Sequence, residues 1–409
     1  MNQFKSASIL SDQTDYDIAI IGGGIHGVGV AQASAAAGYR TVLLEQKHLA
    51  YGTSRWSSKL IHGGLRYLEN FEFGLVRESL KERELLLKLA PDLVKRQNFY
   101  IPIYENTSRR PWKIRLGLLA YTVLAGGNKQ TFFRSVPSTE WDSLDGLEKN
   151  GLGTVLQYTD AQTDDAKLTQ AVMNSAIELG SDLICPAQFE QANRIEGGWQ
   201  VAYSEKGNGH YFTTRTLVNA AGPWASGLLA NIDGGMPEFS TENVQGTHIE
   251  LPGELNHGCY YMEVPSDKRA VFAMPWQGRT LVGTTEFTYK DDPHKVFSRD
   301  AAVEYLIKVY QHYFPRRDAT VLDRWAGLRV LPTSKGAAFK RSRETQLPVD
   351  NDLKPTVISI FGGKLTGYRV TAKKVIAKLK PSLPKVNERA RTEELSLNLD
   401  GVIEINRSN

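Results

Sequence analysis

YDIAIIGGGIHGVGVAQASAAAGYRTVLLEQ, residues 16 to 46, decides how this chain must begin to fold. Asp17 to Ile21 form a short isoleucine-rich apolar run, the pattern of a parallel strand buried on both faces. Gly22, Gly24 and Gly27 follow as G-x-G-x-x-G, and the small-residue stretch Val28 to Ala37 reads as a helix ended by Gly38. Thr41 to Leu44 make a second strand, with Glu45 and Gln46 at its C-terminal end. The first glycine permits a tight turn, the second lets backbone approach a pyrophosphate, and the third lets the helix lie close on the sheet. The helix N-terminus adds unpaired N–H groups and a partial positive charge. Glu45 is placed to accept hydrogen bonds from ribose hydroxyls, and its charge disfavours a 2′-phosphate. The unit predicts a dinucleotide site at Gly22, Gly24, Ile25, His26, Gly27, Glu45 and Gln46, without deciding between FAD and NAD. Its place near the N-terminus is where a flavoprotein commonly keeps FAD.

Around this unit the chain runs to 409 residues, which suits two domains or one large two-layer unit. A 41% hydrophobic and 23% charged composition is that of a soluble globular protein and excludes a disordered or fibrous chain. The net charge of +4 makes no case for nucleic acid. Cys185 and Cys259 are the only cysteines and stand far apart, so a reducing cytoplasm is expected rather than a disulfide framework. The opening MNQFKSASILSDQTDYD has no signal-peptide core. LGLLAYTVLAGG, residues 116 to 127, is the longest uncharged apolar run and is too short to cross a bilayer. The eight histidines are dispersed, with no HExxH and no CxxC, so no metal site is predicted.

Directly after Glu45 comes YGTSRWSSKLIHGGLRYLEN, residues 51 to 70. It threads Leu60, Ile61 and Leu65 through a segment that also carries Lys59, His62, Arg66 and Tyr67. Thr53, Ser54, Ser57 and Ser58 can give hydroxyl hydrogen bonds to a cofactor this close to the pyrophosphate turn. Gly63 and Gly64 have no Cβ, so a flat ring system could lie on their backbone. A glycine turn with a snorkelling Arg66 and a stacked Tyr67 satisfies the same residues.

Residues 72 to 90 read as an amphipathic helix with Leu75, Val76, Leu80, Leu86 and Leu87 inward and a Glu84–Lys88 pair on its surface. Residues 98 to 160 mostly lack helical period. A helix is predicted at 168 to 180 and another at Arg299 to Tyr313; strands are predicted at DLICPAQFE (182–190), GGWQVAYSE, HYFTTRTLVNA and several runs between 243 and 332. Asp164 and Asp165, in TDDAKL, read as a helix cap. TVISIFGGKLTGYRVTAKKVIAKL returns as strand, Gly-Gly turn and helix, a second place where a helix N-terminus meets a ligand.

Many of these segments resemble the FAD-dependent glycerol-3-phosphate dehydrogenase family. GGGIHGVG, SSKLIHGGLRYLE, TDDAKL, VNAAGPWA (218–225), GTHI (246–249), MPW (274–276), GTTE (283–286), AGLRVL (326–331) and FGGKLTGYR (361–369) carry the resemblance, from about residue 16 to about residue 385. It implies an α/β fold with an α+β substrate part: a Rossmann-type FAD-binding domain interleaved with an antiparallel-sheet substrate domain, as in D-amino-acid oxidase. The expected division is a flexible N-terminus (1–14), FAD-binding parts at 15–97, 161–242 and 341–385, substrate parts at 98–160 and 243–340, and a C-terminal tail (386–409). FAD is the implied cofactor, and Lys59, His62, Gly63, Gly64, Ala221, Gly222, Gly327, Gly362, Gly363, Lys364, Leu365 and Thr366 join the implied FAD site.

The implied reaction removes a hydride from C2 of sn-glycerol 3-phosphate to flavin N5, gives dihydroxyacetone phosphate and passes electrons to membrane quinone. By motif match Arg329 and Lys364 face the substrate, and Tyr67 and Arg343 hold its phosphate. His248 is the candidate proton acceptor with His62 in reserve, although His248 also suits a satisfied core histidine. Arg109, Arg110, Lys113 and Arg115 around Trp112 imply peripheral contact with an anionic lipid surface, or else a basic surface helix. The expected location is cytoplasmic, in peripheral contact with the inner membrane face. Two departures stand out: His26 replaces the family's usual asparagine, and the C-terminal helical domain that usually follows is expected to be missing after Asn409. Two other activities fit the same residues: a soluble flavin oxidase acting on another hydroxy acid, phospho-polyol or amine, and a non-catalytic FAD-binding scaffold.

Overall fold

The structure, a computed structural model, describes residues 14–127, 131–237, 239–333 and 344–399. Among the described residues, seventeen strands and seven α-helices are numbered in chain order. A seven-stranded sheet takes β1 (Tyr16–Ile21), β2 (Thr41–Leu44), β7 (Ser181–Ile184), β8 (Gln188–Ile195), β9 (Gly198–Glu205), β10 (Asn208–Asn219) and β17 (Val357–Ser359). A ten-stranded sheet takes β3 (Leu60–Ile61), β4 (Val94–Tyr104), β5 (Arg134–Val136), β6 (Leu152–Thr163), β11 (Thr241–Leu251), β12 (Cys259–Glu263), β13 (Ala270–Trp276), β14 (Arg279–Gly283), β15 (Phe287–Tyr289) and β16 (Asp323–Pro332). The chain therefore passes between the two sheets repeatedly.

In the first sheet β7, β2, β1 and β10 run parallel in that order. The twelve-residue β10 has two further partners besides β1: its first half pairs antiparallel with β9 and its end pairs parallel with β17. Helix α1 (Ile25–Ala36) is buried on nearly every face. Its alanines and glycines explain this, because α4 (Asp165–Glu178) and α7 (Tyr368–Leu379) pack on it as closely as the sheet does. At Gly29 an added Cβ would fall 2.7 Å from the Tyr368 ring. Residues 386–399, expected as a tail, fold back onto this unit: Arg389 and Ala390 donate N–H bonds to Ala36 O, and Leu397 N donates to Leu89 O.

Alternation along β4 divides the second sheet into two packed faces. Phe99, Ile101 and Ile103 share a core with Val76 and Leu80 of α2 (Phe73–Leu89) and with Leu118 and Tyr121 of α3 (Pro111–Leu124). Tyr100 and Tyr104 face the other way, toward Leu306, Tyr310 and Tyr313 of α6 (Asp300–Tyr313).

Several local expectations need correction. The strand expected at 182–190 is broken into β7 and β8 around Pro186, which lacks an N–H and cannot continue the parallel ladder. A 14-residue helix, α3, occupies part of 98–160, a stretch whose sequence mostly lacks helical period. Glu84 pairs with Arg83 and Arg96 rather than with Lys88. Asp164 caps α4 by accepting from Lys167 N, but Asp165 is buried in contact with Lys59 and Ser57.

Candidate active site

One cavity of about 490 Å³ lies between the sheets, bounded by the glycine turn after β1, the segment 51–67, strands β11 and β16, and the turn before α7. Gly22 has φ +111° and sits so close to β10 that an added Cβ would be 2.6 Å from Ala220 O. The first N–H of α1 is taken by a side chain: Ile25 N donates to Ser54 Oγ at 2.9 Å. Glu45 Oε2 accepts from Gly23 N at 2.7 Å and Oε1 from Lys47 N at 2.8 Å, which leaves further lone pairs for a ligand. Burial raises the Glu45 carboxyl above its ordinary value, while these backbone donors pull it back.

Of the residues expected at the cofactor, Gly22, Gly24, Ile25, His26, Glu45, Gln46, Thr53, Ser54, Ser57, Ser58, His62, Gly64, Ala221, Gly222, Gly327, Gly362, Gly363, Lys364, Leu365 and Thr366 all line this cavity. Three do not. Gly27 is a packing glycine, where a Cβ would fall 1.8 Å from Gly22 O. Lys59 has φ +58° and turns its ammonium away into a buried pair with Asp165 Oδ1 at 2.6 Å and a bond to Arg55 O. At Gly63 the open side faces protein rather than a flat ring, since its Cβ position meets Tyr121 Oη at 2.6 Å and Leu80 Cδ2 at 2.7 Å. Gly64, at φ +81°, lines the cavity, but the space beside it is filled by the Tyr67 ring.

The groups expected at the substrate lie together. Arg329 on β16 directs Nη1 to Glu286 Oε1 at 2.9 Å and Nη2 to Thr285 O at 2.9 Å. Lys364 Nζ donates to Ser79 Oγ at 3.2 Å and stands 3.8 Å from the centre of the Tyr67 ring. His62 and Tyr67 line the same cavity, and His62 N donates to Thr366 Oγ1. His248 on β11 is 2% exposed, 3.0 Å from Ser58 Oγ through Nε2, and stacked on Trp325. Burial first, then the Arg329 and Lys59 cations, lower its pKa from 6.5 to about 3, so the ring is neutral at physiological pH. Arg343 lies outside the described residues.

Other lining groups carried no local signal. Glu286 stands in the GTTE segment, but nothing around it announces its pairing with Arg329. Tyr261 on β12, Phe272 on β13 and Arg269 just before β13 line a side of the cavity that no motif marks. Trp224 stands in VNAAGPWA, which carries the resemblance but gives this residue no role of its own.

Three buried polar atoms with no protein partner sit on the lining: His26 Nδ1, Trp224 Nε1 and His248 Nδ1. Together with the glycine turns at Gly22 and at Gly362–Gly363 and the acceptor at Glu45, they fit a long polar cofactor with a diphosphate and a ribose. Fold and cavity thus define a dinucleotide-dependent oxidoreductase, with the strand-edge site expected of an open parallel sheet. A family model described as FAD dependent oxidoreductase matches residues 17–362. The chain is 37% identical over 374 residues to the glycerol-3-phosphate dehydrogenase of Pseudomonas aeruginosa, across 90% of this chain and 72% of that one. It is 34% identical over 384 residues to the D-erythritol 1-phosphate dehydrogenase of Brucella abortus, across 90% and 74%. The glycerol-3-phosphate dehydrogenase from Bacillus halodurans, solved in complex with FAD, superposes with a TM-score of 0.73 at 26% identity, covering 94% of this chain and 68% of that one.

The chain belongs to the FAD-dependent oxidoreductases and, within them, to the glycerol-3-phosphate dehydrogenase family. Its cofactor is FAD. Among the described residues, no helix is long and apolar enough to cross a membrane. No group of three or more potential metal ligands occurs among them either.

Proposed function

We propose that the chain oxidises a small phosphorylated polyol, sn-glycerol 3-phosphate, at C2 to dihydroxyacetone phosphate and hands the two electrons on to quinone. Bound FAD supplies the acceptor for the hydride that leaves C2. The chain's own residues do the rest. Lys364 and Tyr67 bind the phosphate, one as a cation and one as a hydroxyl donor. Arg343 is the partner of Tyr67 in the phosphate-holding pair that the resemblance implies, and Lys364 is added to that pair here. The Arg329 guanidinium, held flat by Glu286 and Thr285 O, stabilises the C2 oxygen as it loses its proton. His248, neutral beside Arg329, is the candidate acceptor of that proton.

The supporting observation is the convergence of Lys364, Tyr67 and Arg329 on one cavity that also takes the cofactor turns. Anaerobic mixing of the holoenzyme with a panel of phosphorylated polyols, read as bleaching of the visible flavin band, tests it. Bleaching by glycerol 3-phosphate is expected; no bleaching by any phosphorylated polyol overturns the reading. A longer polyol phosphate is the second reading, favoured by 34% identity to the erythritol phosphate enzyme and by the cavity's extension toward Arg269. Faster bleaching by erythritol 1-phosphate would select it. Re-oxidation by a short-chain quinone tests the acceptor, and hydrogen peroxide release in its place points to an oxidase.

Peripheral membrane contact is proposed for the outer face of α3. Trp112, Leu116, Leu119 and Val123 form one exposed row at helical spacing, beside exposed Phe71 and Phe132 and the exposed cations Arg110, Lys113 and Arg115. Arg109 is not available to lipid in the same way, since Glu69 and Glu263 hold it.

A further inference from the structure

Behind the Tyr67 side of the cavity lies a chain of hydrogen bonds buried to its last atom. Tyr121 Oη, on α3, donates to Asp160 Oδ2 at 2.6 Å and accepts from Gly63 N at 2.8 Å. Asp160 Oδ1 is held in turn by Arg83 Nη1 at 2.6 Å. Arg83 is 0% exposed, Tyr121 1% and Asp160 2%, so none of these groups has water as an alternative partner. Burial and the neighbouring Asp160 raise the tyrosine far above its usual range, which keeps its proton on and fixes which way each bond runs.

The position of this network gives it a use. Gly63 is the peptide between His62 and Gly64, both on the cavity lining, and Tyr67 follows one turn later. Its N–H would otherwise be an orphan in the apolar core formed by α2, α3 and β6. Leu80 and Tyr121 Oη also occupy the space where a Cβ would project, so the glycine is clamped from two directions. Arg83 lies four residues after Ser79 on α2, one helical turn away, and Ser79 is the hydroxyl that holds Lys364 Nζ. A single face of α2 therefore spaces both walls of the phosphate pocket: Lys364 directly, and the His62–Tyr67 segment through Asp160 and Tyr121.

We propose that Tyr121 is a positioning residue for the oxidation, its hydroxyl fixing the Gly63 peptide and, through it, the distance between Tyr67 and Lys364. Substrate contact is left to those two side chains. The inference rests on the phosphorylated-polyol reading above, and its test separates the two.

The test compares the wild-type holoenzyme with Tyr121→Phe, which keeps the ring in the core and removes only the oxygen. Hydrogen exchange in the peptide covering residues 60–68 should become about tenfold faster, with the peptide covering 16–36 unchanged. In the same preparation the Kd for glycerol 3-phosphate, from anaerobic flavin reduction, should rise about tenfold while the limiting reduction rate changes less. Asp160→Asn, which leaves Tyr121 an oxygen partner but removes the charge, should shift both readouts in the same direction; it carries the test if Tyr121→Phe does not fold. Unchanged exchange at 60–68, or altered exchange with a wild-type Kd, overturns the proposal. If glycerol 3-phosphate fails to bleach the wild-type flavin, the substrate reading falls, and the exchange result alone decides whether Tyr121 positions the segment.

Discussion

The Lys364 ammonium stands 3.8 Å from the centre of the Tyr67 ring, although the two residues come from opposite ends of the chain. A cation over an aromatic face gains about 0.5–2 kcal/mol when partly desolvated, and here it also aligns the charge with the phenol hydroxyl. In the function proposed above, the two groups act as one anion clamp. Lys364→Met should raise the Kd for the phosphorylated substrate about a hundredfold, since a charged hydrogen bond is worth about 1.5–3 kcal/mol. Tyr67→Phe keeps the ring and should cost about tenfold; Tyr67→Leu loses the ring as well and should cost more. Gly64→Ala adds a single carbon 2.2 Å from the Tyr67 ring and should mimic Tyr67→Leu in Kd without touching the clamp chemically. Substrate titration under anaerobic conditions checks all four. Equal Kd values for Tyr67→Phe and Tyr67→Leu would remove the ring from the account.

Arg329 and Glu286 form the second clamp, 2.9 Å apart with Glu286 almost wholly enclosed. A guanidinium anchored this way costs no reorganisation when charge develops on the substrate oxygen. Arg329→Ala should lower the flavin reduction rate by roughly a hundredfold or more, with a smaller change in Kd, because the contact strengthens as the hydroxyl proton leaves. Glu286→Gln keeps a hydrogen-bond acceptor and should cost less than Arg329→Ala in the same stopped-flow measurement. A rate unchanged by Arg329→Ala would sink the assignment.

These clamps also mark where sequence reading stops. The β1–α1–β2 unit was legible because its reasons are local: a glycine turn, a small-residue helix and an acid at a strand end are all set by near neighbours. Lys59 was not, because its ammonium is drawn to Asp165, 106 residues away, and nothing in SSKLIH states that. Gly63 failed for the same reason: the tyrosine that fills its open side is 58 residues distant. Arg83 sits in a helix with clear amphipathic period, yet on the buried face, where a charge makes sense only once Asp160 is known to face it. The motif matches drew Arg329, Lys364 and Tyr67 into one list, while the Glu286 that orients Arg329 and the Ser79 that orients Lys364 had no such label. Directions of side chains are set by partners distant in sequence, and these are supplied by the fold.

His26 offers a pH test. The ring lines the cavity at the start of α1 and is only partly exposed, Nδ1 is enclosed without a protein partner, and desolvation lowers its pKa from 6.5 to about 4. The folded chain therefore keeps this ring neutral at pH values where the unfolded chain already binds a proton. Its contribution to stability is fully present above pH 6.5, declines as pH falls, and is gone by about pH 4. Each pH unit in that window costs about 1.4 kcal/mol, so roughly 3 kcal/mol is lost across it. In His26→Asn this loss should vanish, and the thermal midpoint should fall less steeply with acid than in the wild type. Tm measured at half-unit steps from pH 7 to pH 4, with flavin release as the signal, gives the comparison. Parallel curves would mean that His26 is not the group that titrates.

The outer row of α3 makes a prediction that separates apolar insertion from charge attraction. Trp112 is 54% exposed, Leu116 57% and Val123 67%, an arrangement that leaves large apolar side chains in water. Arg110, Lys113 and Arg115 at the head of the same helix add attraction to anionic headgroups, about 1 kcal/mol for each cation near the surface. Both parts should be needed, because neither four apolar side chains nor three cations alone hold a protein of this size firmly on a bilayer. Sedimentation with vesicles of mixed neutral and anionic phospholipid should therefore pull down the wild-type protein at low salt and release part of it at high salt, as charge is screened. Leu116→Glu with Val123→Glu should abolish binding at every salt concentration, since it removes apolar area and adds repulsion on the same face. Lys113→Gln with Arg115→Gln should weaken binding and flatten its salt dependence. Both pairs lie on the exposed side of the helix, opposite Leu118 and Tyr121, so flavin content and thermal midpoint should stay at wild-type values. Wild-type protein that remains in the supernatant at low salt would rule out this face as a lipid contact.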